Sequence, residues 1–336
     1  MSDKITVKFT APWDHQLYNH TPGNSGIIGN YKFEINNDCT DADFWIVYGG
    51  VRLEDENRTV RCPRNNIIYL TDECHEQRYF LISFLNQFHS VITPRTDLTH
   101  KNIISNPEIN IWTIKKSYDE IKKTKFISKT KKLSVIASNR TELPGHLERL
   151  CFVNKLIGHF KDKIDVFGRG FNPVDDKFEA LKDYEFSVAI ENSAIPNYFT
   201  EKIYDCFLSN TVPIYWGCPN ISDFFAEGSY IPIDIYDYKK SIRVIEEIIE
   251  SDFYLNSIEI VEQQKQKYLD ELHLFPGLVK ILNTLNPDLP KDDISLKLEV
   301  RYERAHTIKR WVKKLNDVLP LKYQFELNFK NQSYAN

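Results

Sequence analysis

The chain has 336 residues, long enough for two domains that each bury a core of their own. Hydrophobic residues at 42% and charged residues at 27% are globular proportions, which excludes disorder as a description of the whole. With 43 basic against 47 acidic side chains the formal charge is −4, so nucleic acid is not an expected partner and an anionic ligand must be met by a local site.

Taken in chain order, the first third reads as apolar strands near Ile5, Phe44, Ile67 and Val91, with a helix, HEQRYFLISFLNQF, between the last two. A basic polar stretch over 115–132 follows; it is either a domain boundary or a solvated helix. The boundary reading divides the chain into an amino-terminal α/β domain (1–125), a second α/β domain (126–285) and a helical segment with a basic tail (286–336).

The second domain opens with the strand KLSVIASN and the helix HLERLCFVNKLIGHF. In that helix Leu147, Leu150, Cys151, Leu156, Ile157 and Phe160 recur at three- and four-residue steps and are expected to form the buried stripe. KIDVFGRG, a helical PVDDKFEALKDYE, the strand FSVAIEN, the helix TEKIYDCFLSN and the strand VPIYWG continue the alternation, and ISDFF, YIPID and KKSIRVIEEIIES extend it. This regularity predicts an α/β fold with parallel sheets, in which ligands bind beyond the carboxyl ends of strands. The loops at 138–146, 168–172 and 191–200 should therefore converge on one crevice. Beyond Phe253 the pattern is mostly helical, and LKLEVRYERAHTIKRWVKKLN is a basic amphipathic helix that lies either on an anionic membrane surface or back on the domains.

Six cysteines without a CxxC pair fit a reduced protein with buried thiols. MSDKITVKFT has no apolar signal core, so a cytoplasmic location is expected.

The chemistry concentrates in ENSAIPNYFTEK. Thr200 suits the N-cap of the next helix and Glu201 suits its first turn, whereas Lys202 opposes the helix dipole. An anion sharing the site explains such a cation, and a diphosphate held by helix amides and Lys202 is one; a lysine swung into water is the other reading. Glu191 and Asn192 end a buried strand and are expected to face a cleft, Tyr198 either stacks on a ligand or packs, and Glu201 with Asp205 reads as a solvated helix face. Gly168 and Gly170 flank Arg169 after a strand and permit close backbone approach.

The run AIENS followed by YFTEKIYDCFLSNTVPIYWG resembles the donor-site signature of the α-1,3/α-1,4-fucosyltransferases, glycosyltransferase family 10, and the upstream KLSVIASN with Arg149 resembles that family's Ser-Asn and Arg segment. The resemblance covers about 133–234. It implies a GT-B fold of two facing Rossmann-like α/β domains, a GDP-fucose donor, a glycan acceptor, inversion at the anomeric centre and no required metal. On that resemblance Arg149 and Lys202 bind the diphosphate, Glu201 binds sugar or ribose hydroxyls, and Asn139, Glu191, Asn192, Tyr198 and Thr200 complete the donor site. The family's base is a carboxylate after a Thr-x-Glu strand end, which Thr71 and Glu73 supply here, with Asp72 as its neighbour. Glu73, Glu201 and Lys202 are thus the expected catalytic set. The nearest approach to metal spacing, DECHE over 72–76, lacks a second ligand pair. A surface glycan is the expected acceptor, and the basic carboxyl-terminal helix suggests attachment to the inner membrane face near lipopolysaccharide or capsule acceptors.

Overall fold

The computed structural model describes residues 4–13, 16–50, 59–74, 78, 80–126 and 128–297. Its first sheet uses β1 (Ile5–Thr10), β2 (Ile27–Ile28), β3 (Tyr31–Ile35) and β4 (Phe44–Tyr48), in spatial order β2-β3-β1-β4. After β5 (Thr59–Cys62), which stands outside this sheet, it continues through β6 (Ile67–Leu70), the helical turn α1 (Ile82–Leu85), β7 (Ser90–Thr93) and β8 (Ile103–Ser105). All its pairings are parallel except β2 with β3.

A strand covered on both faces must be apolar throughout rather than alternating. β4, FWIVY, is buried at every position. Phe44, Ile46 and Tyr48 face one cluster with Phe9 and Phe33, while Trp45 and Val47 face another with Tyr69, Phe84 and Phe88.

A short α2 (Tyr118–Lys123), closed by a capping box between Ser117 and Glu120, leads to the second sheet. β9 (Lys131–Ile136), α3 (Pro144–Phe160), β10 (Asp165–Phe167), β11 (Tyr184–Ile190), α4 (Glu201–Leu208), β12 (Val212–Trp216), β13 (Ile231–Pro232), α5 (Tyr238–Ile249) and α6 (Phe253–Lys267) follow. The strands pair in parallel in the order β10-β9-β11-β12-β13. The expected α/β architecture with two largely parallel sheets is therefore the one observed.

Packing and chain position part company at two places. Trp112, Ile114 and Ile121 precede residue 126, yet they join the core of the second sheet. Conversely α7 (Leu274–Leu282) lays Leu274, Phe275, Leu278, Ile281 and Leu282 on the first sheet, although it was expected within the donor domain. Among the described residues the chain thus crosses between the domains twice. The segment expected to be helical from residue 286 instead begins with a strand, β14 (Asp292–Ser295), antiparallel to β5. The basic helix expected beyond it falls on 298–336, outside the described residues.

Three other expectations change. Of the helix read over 75–88 only the turn Ile82–Leu85 is helical among the described residues, and PVDDKFEALKDYE holds one 3-10 turn, Lys177–Ala180. The buried face of α3 is Gly145, His146, Arg149, Phe152, Val153, Leu156 and Phe160, whereas Leu147 is 51% exposed and Cys151 is exposed. The true stripe keeps Leu156 and Phe160 of the expected set but is rotated at its start, where Gly145 and Arg149 turn toward the loop after β11.

Candidate active site

β11 is the central strand of the second sheet, flanked by β9 and β12, so its carboxyl end lies mid-edge, where such sheets deliver ligands. The chain leaves it at Glu191. That side chain has none of its surface exposed, and it accepts from Thr200 N and Thr200 Oγ1 at 2.7 Å each and from Lys202 Nζ at 3.1 Å. Lys202 Nζ also donates to Thr200 Oγ1 at 2.6 Å. The cation at the start of α4 is therefore answered within the chain by a buried carboxylate. Glu191 was expected to face the cleft; it lines neither cavity described below and instead ties the loop to α4. Thr200 holds the N-cap position, but its hydroxyl serves Glu191 rather than the helix.

Lys202 nonetheless keeps 19% of its side chain exposed. Burial works against its charge, and Glu191 with Glu201 outweighs burial, so its pKa is raised. Glu201 lies 3.0 Å from Lys177 Nζ and 3.6 Å from Lys202 Nζ. Burial alone would raise its pKa, but those two cations hold it well below the carboxylate range. Arg149, from the buried face of α3, donates to Asn192 Oδ1 and, at 3.2 Å, to Ser138 Oγ, while its Nε has no partner. Gly145 admits this pairing, since a Cβ there would sit 1.7 Å from Asn192 O.

Two cavities meet at Glu201 and Lys202. One, of about 230 Å³, lies beyond the ends of β9, β10 and β11 and is walled by Ser138, Arg149, Gly168, Arg169 and Lys177 among others. Gly168 has φ +109°, and a Cβ on it would meet Ala137 O at 2.1 Å, so this wall is backbone laid on backbone. The other cavity, of about 320 Å³, opens between the domains and is lined by Trp13, Tyr48, Asp72, Glu73, Asn192 and Tyr198 as well as the start of α4. Tyr198 is only 2% exposed, so it packs in that wall.

Glu73 stands after β6, on the first domain's side of this cavity. Burial and the neighbouring Asp72 charge, opposed by Lys202, push its pKa up to about 7. Arg78 grips Asp72 by both carboxylate oxygens at 2.9 and 2.8 Å. Beneath the turn lies Arg95, buried and bidentate to Asp97, with a further bond of 2.7 Å to Arg78 O. Sequence reasoning missed Arg95, whose setting in SVITPR carries no periodic signal.

The structure brings Arg149, Asn192, Tyr198, Thr200, Glu201, Lys202 and Glu73 to the two cavities. Asn139 stays at the rim, exposed, with its side chain over Gly170 and its N–H bonded to Arg169 O at 2.9 Å. Asp205, read as solvated, is 1% exposed and accepts from Thr113 N at 3.0 Å and Thr113 Oγ1 at 2.7 Å, its pKa raised by burial to about 6. Lys177 was not singled out because its stretch reads as a surface helix. No group of three His, Cys, Asp or Glu among the described residues is placed to hold a metal ion.

Residues 126–268 match the family model described as Glycosyltransferase family 10 (fucosyltransferase) C-term. Over 117 residues the chain is 36% identical to an alpha-(1,3)-fucosyltransferase of Helicobacter pylori, a match covering 35% of this chain and 21% of that protein. It is 31% identical over 106 residues to the human 4-galactosyl-N-acetylglucosaminide 3-alpha-L-fucosyltransferase FUT6, covering 30% of this chain and 29% of that one. The matches thus span less than a third of these relatives' lengths. A crystal structure of an alpha1,3-fucosyltransferase with GDP-fucose superposes at TM-score 0.48 and 16% identity, over 81% of this chain and 93% of that one.

Proposed function

We propose, from the premise that residues 126–268 belong to glycosyltransferase family 10, that the chain is an inverting glycosyltransferase moving fucose from GDP-fucose to a hydroxyl of a glycan. The observation that carries this reading is the meeting of two cavities at Glu201 and Lys202, one within the second domain and one between the domains with Glu73 on its far wall. A donor bound across the junction has its nucleotide in the first cavity and its sugar facing the second.

In the proposed reaction an acceptor oxygen attacks the anomeric carbon as the bond from that carbon to the diphosphate breaks. Glu73 takes the acceptor proton, and a carboxylate with a pKa near 7 is matched to that task at neutral pH. The departing diphosphate gains negative charge, which Lys202 and Arg149 neutralise in a partly desolvated setting. Glu201, kept ionised by Lys177 and Lys202, accepts from sugar or ribose hydroxyls. Lys202 and Arg149 thereby take the role for which other transferases recruit a metal ion, and transfer is proposed to proceed without one.

Surface glycans, lipopolysaccharide or capsule among them, are the proposed acceptors, and the cytoplasmic face of the membrane the proposed place. That location rests on the basic segment beyond residue 297 and is tested by liposome flotation of the full chain with and without charge reversal there. No described helix is long and apolar enough to cross a membrane.

The test of the main reading is incubation of the full chain with GDP-fucose and with UDP-, GDP- and CMP-linked alternatives, in buffer containing a chelator. GDP and GDP-fucose should raise the melting temperature and GDP should be released. A chain indifferent to every guanine nucleotide is not this enzyme.

A further inference from the structure

The interdomain cavity contains one aromatic surface that the reaction as described does not use. Trp13, on the loop after β1, is half-buried, and it is fixed from behind by Tyr48, whose ring meets it edge-on at 5.2 Å and 70°. Tyr48 is itself 2% exposed and locked by a 3.0 Å bond from its hydroxyl to Asn110 Oδ1. Beneath the indole is Gly49, with φ +69°; a Cβ there would lie 2.2 Å from one ring carbon of Trp13 and 2.8 Å from Asp72 Oδ2. A side chain at 49 would displace both, so the missing Cβ lets an indole and a carboxylate converge above one strand end.

We infer that Trp13 is the platform on which the acceptor's pyranose ring stacks, with its hydroxyl rim turned toward Asp72 and Glu73. This deepens the transferase reading and rests on it. The axial C–H bonds of a pyranose give it apolar faces, and its hydroxyls project mainly around the ring's edge. Binding it calls for a flat apolar surface beside acidic acceptors, the pairing that Trp13 makes with the carboxylates after β6. Glu201 and Lys202, where the donor sugar is proposed to arrive, line the same cavity as Trp13 and Glu73, so a ring on Trp13 shares one space with the donor and the base. A β-galactoside, whose H1, H3, H4 and H5 lie toward one face, suits this surface best.

The test compares Trp13→Ala, Trp13→Phe and the parent in transfer from GDP-fucose to N-acetyllactosamine, lactose and methyl β-galactoside. The GDP-induced rise in melting temperature is read alongside, as a check of the fold and of the donor site. Trp13→Ala should raise the acceptor KM by about tenfold or more, the loss of one aromatic contact, while Trp13→Phe recovers most of it and the response to GDP persists in both. An unchanged acceptor KM in Trp13→Ala overturns the platform, as does a parent that responds to GDP but saturates with none of these saccharides. A parent unresponsive to GDP overturns the transferase reading itself, which is a separate failure.

Discussion

Lys202 donates to Glu191 at 3.1 Å, and the carboxylate it meets is wholly enclosed while the ammonium is not. This asymmetry gives the two halves of the pair different duties. Glu191 organises the loop, and Lys202 alone presents charge to a ligand. Removing the lysine from a buried pair leaves the carboxylate uncompensated, at a cost of about 3–5 kcal/mol. Lys202→Met should therefore lose both the response to GDP and much stability in chemical denaturation. The double variant Lys202→Met with Glu191→Gln should regain most of the stability and none of the nucleotide binding. Recovery of both together would mean that Lys202 has no direct role with the donor.

Glu73→Gln should lower kcat by roughly 10²- to 10⁴-fold, the usual reach of a general base, without weakening GDP binding in a thermal-shift assay. In the parent, kcat/KM should rise with pH through about 7 as Glu73 ionises. The stability effect runs the other way. Because folding raises the pKa of Glu73 from its ordinary value near 4.5 to about 7, the folded chain holds a proton that the unfolded chain releases. Its contribution is present below that window and is lost as pH climbs across it. Glu73→Gln should flatten this decline between about pH 5 and 7.5 in melting curves.

Asp205 receives both the N–H and the hydroxyl of Thr113, which belongs to the segment joining the domains. Thr113→Val removes the hydroxyl bond and should cost about 1 kcal/mol. Asp205→Ala removes the acceptor of the Thr113 N–H as well, so two hydrogen bonds to a charged group are lost, and should cost about 1.5–3 kcal/mol by denaturant titration. Equal costs would show that the backbone bond contributes nothing.

Gly145→Ala tests the positioning of Asn192. A methyl group 1.7 Å from Asn192 O must push the loop away from α3 and loosen the grip of Arg149 on the Asn192 side chain. GDP affinity should fall by about an order of magnitude in isothermal titration, equivalent to about 1.4 kcal/mol. Gly158, on the same helix with open space around it, gives the control: Gly158→Ala should leave affinity unchanged.

What the sequence made legible follows from the kind of signal each feature carries. ENSAIPNYFTEK was readable because charge between a buried strand and a helix has few uses, and all but Glu191 of its singled-out residues line a cavity. Glu191 and Asp205 were misplaced for one reason. A carboxylate reads as solvated until its partners are known, and theirs, Thr200 with Lys202 and Thr113, are set by tertiary contact. LFPGLVKIL announces burial, but periodicity does not say against which sheet, so the return of α7 to the first domain was invisible. Trp13 and Tyr48 sit in loops and strand ends where a lone aromatic has no pattern to betray it.

The double crossing of the chain makes the two domains inseparable by a single cut. Leu274, whose N–H bonds to Asn110 O at 3.1 Å, brings the returning segment against the outgoing one, and Tyr268 donates to that same carbonyl at 3.1 Å. The molecule is stitched at one seam rather than strung on a tether. An amino-terminal fragment ending at residue 125 would bare the sheet face that α7 covers, and a fragment of 126–268 would lack Trp112 and Ile114 from its core. Neither fragment carries a complete core of its own, so the two sheets are partners in folding rather than beads on one string.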